Sequence, residues 1–143
     1  MTYLLDASVV APALEAAHPH HARALPWLVR ARRQEIEAAI TAHTLAESYT
    51  ALTMMPLQRR ITPGCACRLL TEAAAHMRVV ELTETDYRQT IQRVADLGLV
   101  GGPVYDALIA TVAMRLNVDG LVTFNLRHFR RVWPEGHGRI ITP

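Results

Sequence analysis

Apolar residues recur along this chain in two rhythms. Short runs at Tyr3–Leu5, Ala38–Thr41, Arg78–Leu82, Leu121–Phe124 and Arg139–Thr142 contain β-branched residues and lack clean polar alternation. Strands covered on both faces have this pattern. Between them the apolar positions take helical spacing. Ala22, Leu25, Leu28 and Val29 form one stripe, Leu69, Leu70, Ala73 and Met77 a second, and Tyr87, Ile91, Val94 and Leu97 a third. Thr83 and Asp86 stand ahead of the third stripe like the two members of a capping box. Val104–Leu116 is apolar nearly all round, which predicts a buried helix. Breaks fall at His18–His21, Met55–Gly64, Gly98–Pro103 and Pro134–Gly138, none long enough to link two domains. Strands alternating with helices predict parallel βαβ units in one α/β domain spanning 1–143, with helices on both faces of the sheet.

Composition narrows the chemistry. Half of the 143 residues are hydrophobic, enough for a sizeable core, and no apolar run approaches a membrane span. The opening MTYLLDASVV lacks a basic leader and carries Asp6 within its apolar run, so a secretory signal is not expected. Cys65 and Cys67 are too close in sequence to make a good disulfide, and a reducing, cytoplasmic location is the expectation. The net charge of +2 does not by itself announce nucleic-acid binding. All 15 basic residues are arginine, however, which excludes P-loop phosphate binding and Schiff-base chemistry, both of which need a lysine.

In an open α/β sheet, ligands bind beyond the carboxyl ends of the strands. Asp6 leaves the first strand, followed by Ala7 and Ser8. Glu47 lies on the helix after the second, Asp106 in the first turn of the buried helix, and Thr123-Phe-Asn125 at the end of the fourth strand. Each has a bland reading: Asp6 as an N-cap, Glu47 in a capping box with Thr44, Asp106 at a helix's positive end, Asn125 in a turn. The three acids nevertheless sit in strongly apolar surroundings, where carboxylates are usually paired or bound to metal. No arginine is an evident partner by proximity. Two carboxylates ~4 Å apart repel by about 4 kcal/mol at an effective dielectric near 20. All-oxygen ligands favour Mg²⁺ or Mn²⁺ over zinc, and such an ion suits phosphodiester hydrolysis.

These residues resemble the motifs of PIN-domain ribonucleases, and in particular those of VapC-type toxins. Leu-Leu-Asp6-Ala-Ser8 resembles the first acidic motif, Ala46-Glu47 the second, Tyr105-Asp106-Ala-Leu-Ile-Ala the third, and Leu121-Val-Thr123-Phe-Asn125-Leu-Arg-His-Phe129 the fourth. The resemblance runs from Tyr3 to about Phe129. It implies a three-layer α/β/α domain with five parallel strands in the order 3-2-1-4-5. It implies metal ligation by Asp6, Asp106 and Glu47, with Asn125 as a weaker fourth group and His128 standing where relatives often carry aspartate. Ser8 and Thr123 would steady the acids through hydrogen bonds. It further implies an RNA substrate cut to 5′-phosphate and 3′-hydroxyl ends. A cognate antitoxin would silence the enzyme, in a homodimer, heterotetramer or hetero-octamer. Asn125 and His128 leave one alternative standing: a catalytically weak or inactive PIN domain that only binds RNA or a partner.

RNA needs a positive rim around an acidic site. Arg127, Arg130 and Arg131 follow the fourth motif, and Arg59 and Arg60 sit in an expected loop beside Pro56 and Pro63. Arginine gives bidentate phosphate contacts. His18, His20 and His21 crowd one loop as a conceivable zinc site or as surface histidines at a helix start. Trp27 and Trp133 are expected on surface elements, as core or interface residues. A haloacid-dehalogenase phosphatase would need an aspartate at position 8, where Ser8 stands, and a phosphoacceptor receiver domain would need a lysine.

Overall fold

The computed structural model describes all residues from 1 to 143. Five strands, β1 (Thr2–Leu5), β2 (Glu37–Thr41), β3 (Arg78–Val80), β4 (Gly120–Val122) and β5 (Ile140–Ile141), form one parallel sheet. Its order is β3-β2-β1-β4-β5, the order the family resemblance implied. The helices are α1 (Ala7–Ala13), α2 (His21–Arg32), α3 (Ala42–Met54), α4 (Pro63–Ala74), α5 (Glu84–Asp96), α6 (Pro103–Arg115) and α7 (Leu126–Val132), followed by a 3-10 turn at Pro134–Arg139. No helix is long and apolar enough to cross a membrane.

The period of two along each strand divides the core between the faces of the sheet. Leu4, Ala39 and Leu121 pack with Ile109, Val112, Phe129 and Trp133 on one side. Leu5, Ile40 and Val122 pack with Val9, Val10, Leu52 and Leu70 on the other. Leu4 pairs in register with both Ala39 and Leu121, so the first layer is continuous across three strands. The result is the expected α/β/α sandwich. The large apolar side chains Leu4, Leu5, Ile40, Leu121 and Val122 of the central strands are fully buried, at roughly 1.5–3 kcal/mol of transfer energy each.

Several local expectations are corrected. Trp133 is completely buried, not on a surface element. Gly136 makes this possible: a Cβ there would stand 2.1 Å from the indole ring. Thr41, not Thr44, caps α3, its Oγ1 accepting from Thr44 N at 3.0 Å, so Glu47 belongs to no capping box. β3 stops at Val80, short of Leu82, and β4 stops at Val122, before Thr123 and Phe124. Beyond β4 the backbone is held by side chains instead of a ladder: Phe124 N donates to Ser8 Oγ at 3.0 Å and Asn125 N to Thr123 Oγ1 at 2.9 Å. α1 and α7, at seven residues each, are too short to show a readable period. The capping box of α5, with Thr83 and Asp86, is present as expected.

Candidate active site

Parallel pairing of β1 with β2 and β4 brings three carboxyl ends to one edge of the sheet. Asp6 follows β1 directly, Thr123 follows β4, Glu47 stands on the second turn of α3, and Asp106 lies in the first turn of α6.

Asp6 is only 3% exposed and caps α1. Its Oδ2 accepts from Ser8 Oγ at 2.6 Å, Thr123 Oγ1 at 2.9 Å and Ser8 N at 3.3 Å. Both hydroxyls also accept a backbone N–H, from Phe124 and Asn125 respectively. Each hydroxyl proton is therefore directed at Asp6. These bonds all fall on one oxygen, which leaves Oδ1 available to a ligand. The bland and the functional readings of Asp6 are thus divided between its two oxygens.

Both other acids have raised proton affinity, in part from the charge of Asp6. Glu47 is pushed up to about 7, first by burial and then by the charges of Asp6 and Asp106. Asp106 is raised by burial and then by Asp6, an effect His128 partly offsets. His128 Nδ1 stands 3.5 Å from Asp106 Oδ2. His43 Nε2 comes within 3.2 Å of Glu47 Oε1, but the angle is wrong for a hydrogen bond, and Oε1 is buried without a partner. No arginine pairs with Asp6, Glu47 or Asp106. His43 escaped the sequence reading, although its spacing of four from Glu47 on a helix was the available signal.

No three His, Cys, Asp or Glu side chains stand close enough to make a closed, preassembled metal centre. The donor set still fits a hard divalent cation. A free oxygen on a fixed aspartate, an orphaned buried glutamate oxygen and a third carboxylate within Coulombic range form an open acidic site, short of positive charge.

Two cavities flank the acids. One, of about 540 Å³, is lined by Ser8, Glu47 and Asn125 together with His18, His20 and Phe124. The other, of about 300 Å³, is lined by Asp106, His128 and Arg131 beside Gly102 and Pro103. Asn125 thus stands beside Glu47, and Arg131 beside Asp106. Arg127 and Arg130 are exposed on α7, and Arg59 and Arg60 are exposed between α3 and α4. None of these four lines either cavity.

A five-stranded parallel sheet with acids gathered at its carboxyl edge defines the class, a PIN domain, and the PIN domain family profile matches residues 3–133. Ribonuclease VapC27 of Mycobacterium tuberculosis is 37% identical over 109 residues, covering 76% of this chain and 74% of that protein. The chain therefore belongs to the VapC ribonucleases of the PIN-domain family. The fold is shared with VapBC2 from Rickettsia felis, solved bound to a DNA fragment from their promoter. That likeness has a TM-score of 0.66 at 20% identity and covers 100% of this chain and 98% of that one. It is shared also with VapC20 of M. tuberculosis, a sarcin–ricin-loop-cleaving toxin, with a TM-score of 0.64 at 19% identity and coverage of 86% and 89%.

Proposed function

We propose that residues 1–143 act as one PIN domain that is a divalent-metal-dependent endoribonuclease, the toxin half of a toxin–antitoxin pair. The observation that carries this reading is the acidic trio of buried Asp6 and half-buried Glu47 and Asp106, in which Asp6 raises the proton affinity of both other acids, Asp106 adds to that of Glu47, and none has an arginine partner. Such a site gains most from a bound cation. The relative's name, a ribonuclease, and the VapBC2 pairing support an RNA substrate and an antitoxin for this chain.

In the proposed mechanism Asp6 and Asp106 hold Mg²⁺ or Mn²⁺, which supplies Lewis acidity at the phosphodiester. Ser8 and Thr123 fix the Asp6 carboxylate so that one oxygen stays turned to its ligand. Glu47 would orient the attacking water or help hold a second ion. Asn125 contributes a weak carbonyl ligand or positions a water. Arg131 supplies positive charge beside Asp106, where His128 also stands, with Arg127, Arg130, Arg59 and Arg60 as an outer rim for phosphates. The products carry 5′-phosphate and 3′-hydroxyl ends.

The test is cleavage of total RNA by purified protein in EDTA, Mg²⁺ or Mn²⁺, beside Asp6→Asn. Cleavage and thermal stabilisation by the metal are expected for the wild type, and the variant should lose both. An ion present at a hundredfold its Kd stabilises by about 2.7 kcal/mol. Cleavage that persists in EDTA, or in Asp6→Asn, overturns the reading. Host toxicity retained by Asp6→Asn would indicate a binding module instead.

A further inference from the structure

We propose that the cavity beside Glu47 is a nucleobase subsite, holding the base that flanks the scissile phosphate, and that His18 reads the acceptor edge of a purine there. The proposal deepens the ribonuclease reading and rests on it for the phosphate's position.

The cavity shares the Ser8, Glu47 and Asn125 wall with the acids, so a nucleotide whose phosphate sits at the carboxylates can reach it with its base. Its volume, about 540 Å³, lies within the range of small-molecule sites. Met54 and Pro56 add an apolar border. Among the lining residues, His20 stacks on Phe124 with ring centroids 4.2 Å apart and planes 11° from parallel, and the Arg23 guanidinium lies 5.0 Å from the Phe124 centroid. His20 is exposed and Phe124 half-buried. Arg23, held by Pro143 O, and Phe124 thus back the exposed ring of His20, and an exposed aromatic plane beside a phosphodiester site is how proteins hold splayed-out bases of single strands.

His18 adds an edge-reading group. Its Nδ1 accepts from His20 N at 3.0 Å. Burial, then the neighbouring His20 and His21, hold its pKa below the ordinary histidine value. The neutral ring with Nδ1 as acceptor carries its proton on Nε2, which makes it a donor at the cavity wall. A donor there pairs with an acceptor on a base edge, and guanine, with O6 and N7 side by side, offers it two where uracil O4 offers one. The zinc alternative for this histidine loop lacks a ligand set: no three His, Cys, Asp or Glu side chains stand close enough there to hold a metal ion.

Two measurements separate this proposal from the ribonuclease reading. The first titrates wild-type protein with 5′-GMP, 5′-UMP and ribose 5-phosphate while following the imidazole ring protons by NMR, with His18→Ala and His20→Ala providing the assignments. GMP is expected to move the His18 and His20 signals more than UMP does, and ribose 5-phosphate to leave them in place. Equal shifts with ribose 5-phosphate, or none with GMP, overturn the base subsite whether or not the protein cuts RNA. The second sequences the 5′ ends released from a randomised RNA pool. A purine preference at one position flanking the cut is expected. His18→Ala should flatten it, and His20→Ala should raise KM about tenfold, as loss of one stacking contact does. Wild-type cleavage with the same base distribution in His18→Ala sinks the subsite and leaves the nuclease standing. Absence of wild-type cleavage sinks the nuclease and leaves the titration to decide the subsite.

Discussion

Two buried acids of this molecule have nearly equal exposure and opposite circumstances. Asp86, 2% exposed, sits at the start of α5 with its charge answered: its Oδ2 accepts from Thr83 N at 2.8 Å, and Arg115 Nη2 lies 3.1 Å away. Asp6, 3% exposed, caps α1 through Ser8 and Thr123, but no cation reaches it, and Glu47 and Asp106 add like charge nearby. Both residues cap helices. Burial and capping therefore do not separate a structural carboxylate from a working one. The missing countercharge does, because a buried acid that serves only the fold gains by acquiring a partner.

The sharpest way to break that comparison is a crossed pair of substitutions. Asp106→Asn should lower RNA cleavage by at least about a hundredfold, more than the loss typical for a group one shell removed from a metal. It should leave the melting temperature unchanged or raise it, since it relieves repulsion from Asp6. Asp86→Ala should do the reverse: a stability loss of about 1–3 kcal/mol by chemical denaturation, from the orphaned Thr83 N and Arg115, with kcat kept. A stability loss in Asp106→Asn equal to that of Asp86→Ala would show the two regions to be alike.

A smaller effect is expected one step out from the acids. Thr123→Val keeps the shape of the buried side chain but removes the proton aimed at Asp6 Oδ2 and the acceptor of Asn125 N. Cleavage should fall about 10- to 100-fold, with a weaker metal affinity read by thermal shift. Thr123→Ser, which keeps the hydroxyl, should recover most of it. Equal losses in both variants would point to packing, not to orientation of Asp6.

The sequence disclosed this site better than it disclosed the elements around it. Asp6, Glu47 and Asp106 stood out because each interrupts an apolar stretch, and a charge in such a stretch is physically expensive. The sheet could be read because its central strands are apolar on both faces. α1 could not, since Ala7–Ala13 is buried almost all round and seven residues give no period. Trp133 was misplaced because its burial depends on the missing side chain of Gly136, a relation between two residues that periodicity does not carry. The cavity beside Glu47 depends on His18 and His20 being brought back from the turn before α2 to Phe124 after β4, a long-range closure invisible to local patterning.

The smallest expected effect is the pH dependence of the metal-free protein. Glu47 has an ordinary carboxyl pKa of about 4.5 when unfolded and about 7 when folded. Between those values the folded state binds more protons than the unfolded one, so stability falls as pH rises through this window and levels off above it. Asp106, also raised, tilts the curve in the same direction. In EDTA, Glu47→Gln should therefore gain on the wild type as pH rises from about 4.5 and hold a constant lead above about 8, measured as melting temperature. The lead is expected to be modest, because 35% of the Glu47 side chain remains exposed and solvent screens its charge. Saturating Mn²⁺ should cancel it above neutrality, since the ion rewards the deprotonated acid that the bare fold penalises. A Glu47→Gln curve parallel to the wild type from pH 4.5 to 8 would mean that Glu47 is not in the electrostatic company of Asp6 and Asp106, and the contrast between the two regions would rest on Asp6 alone.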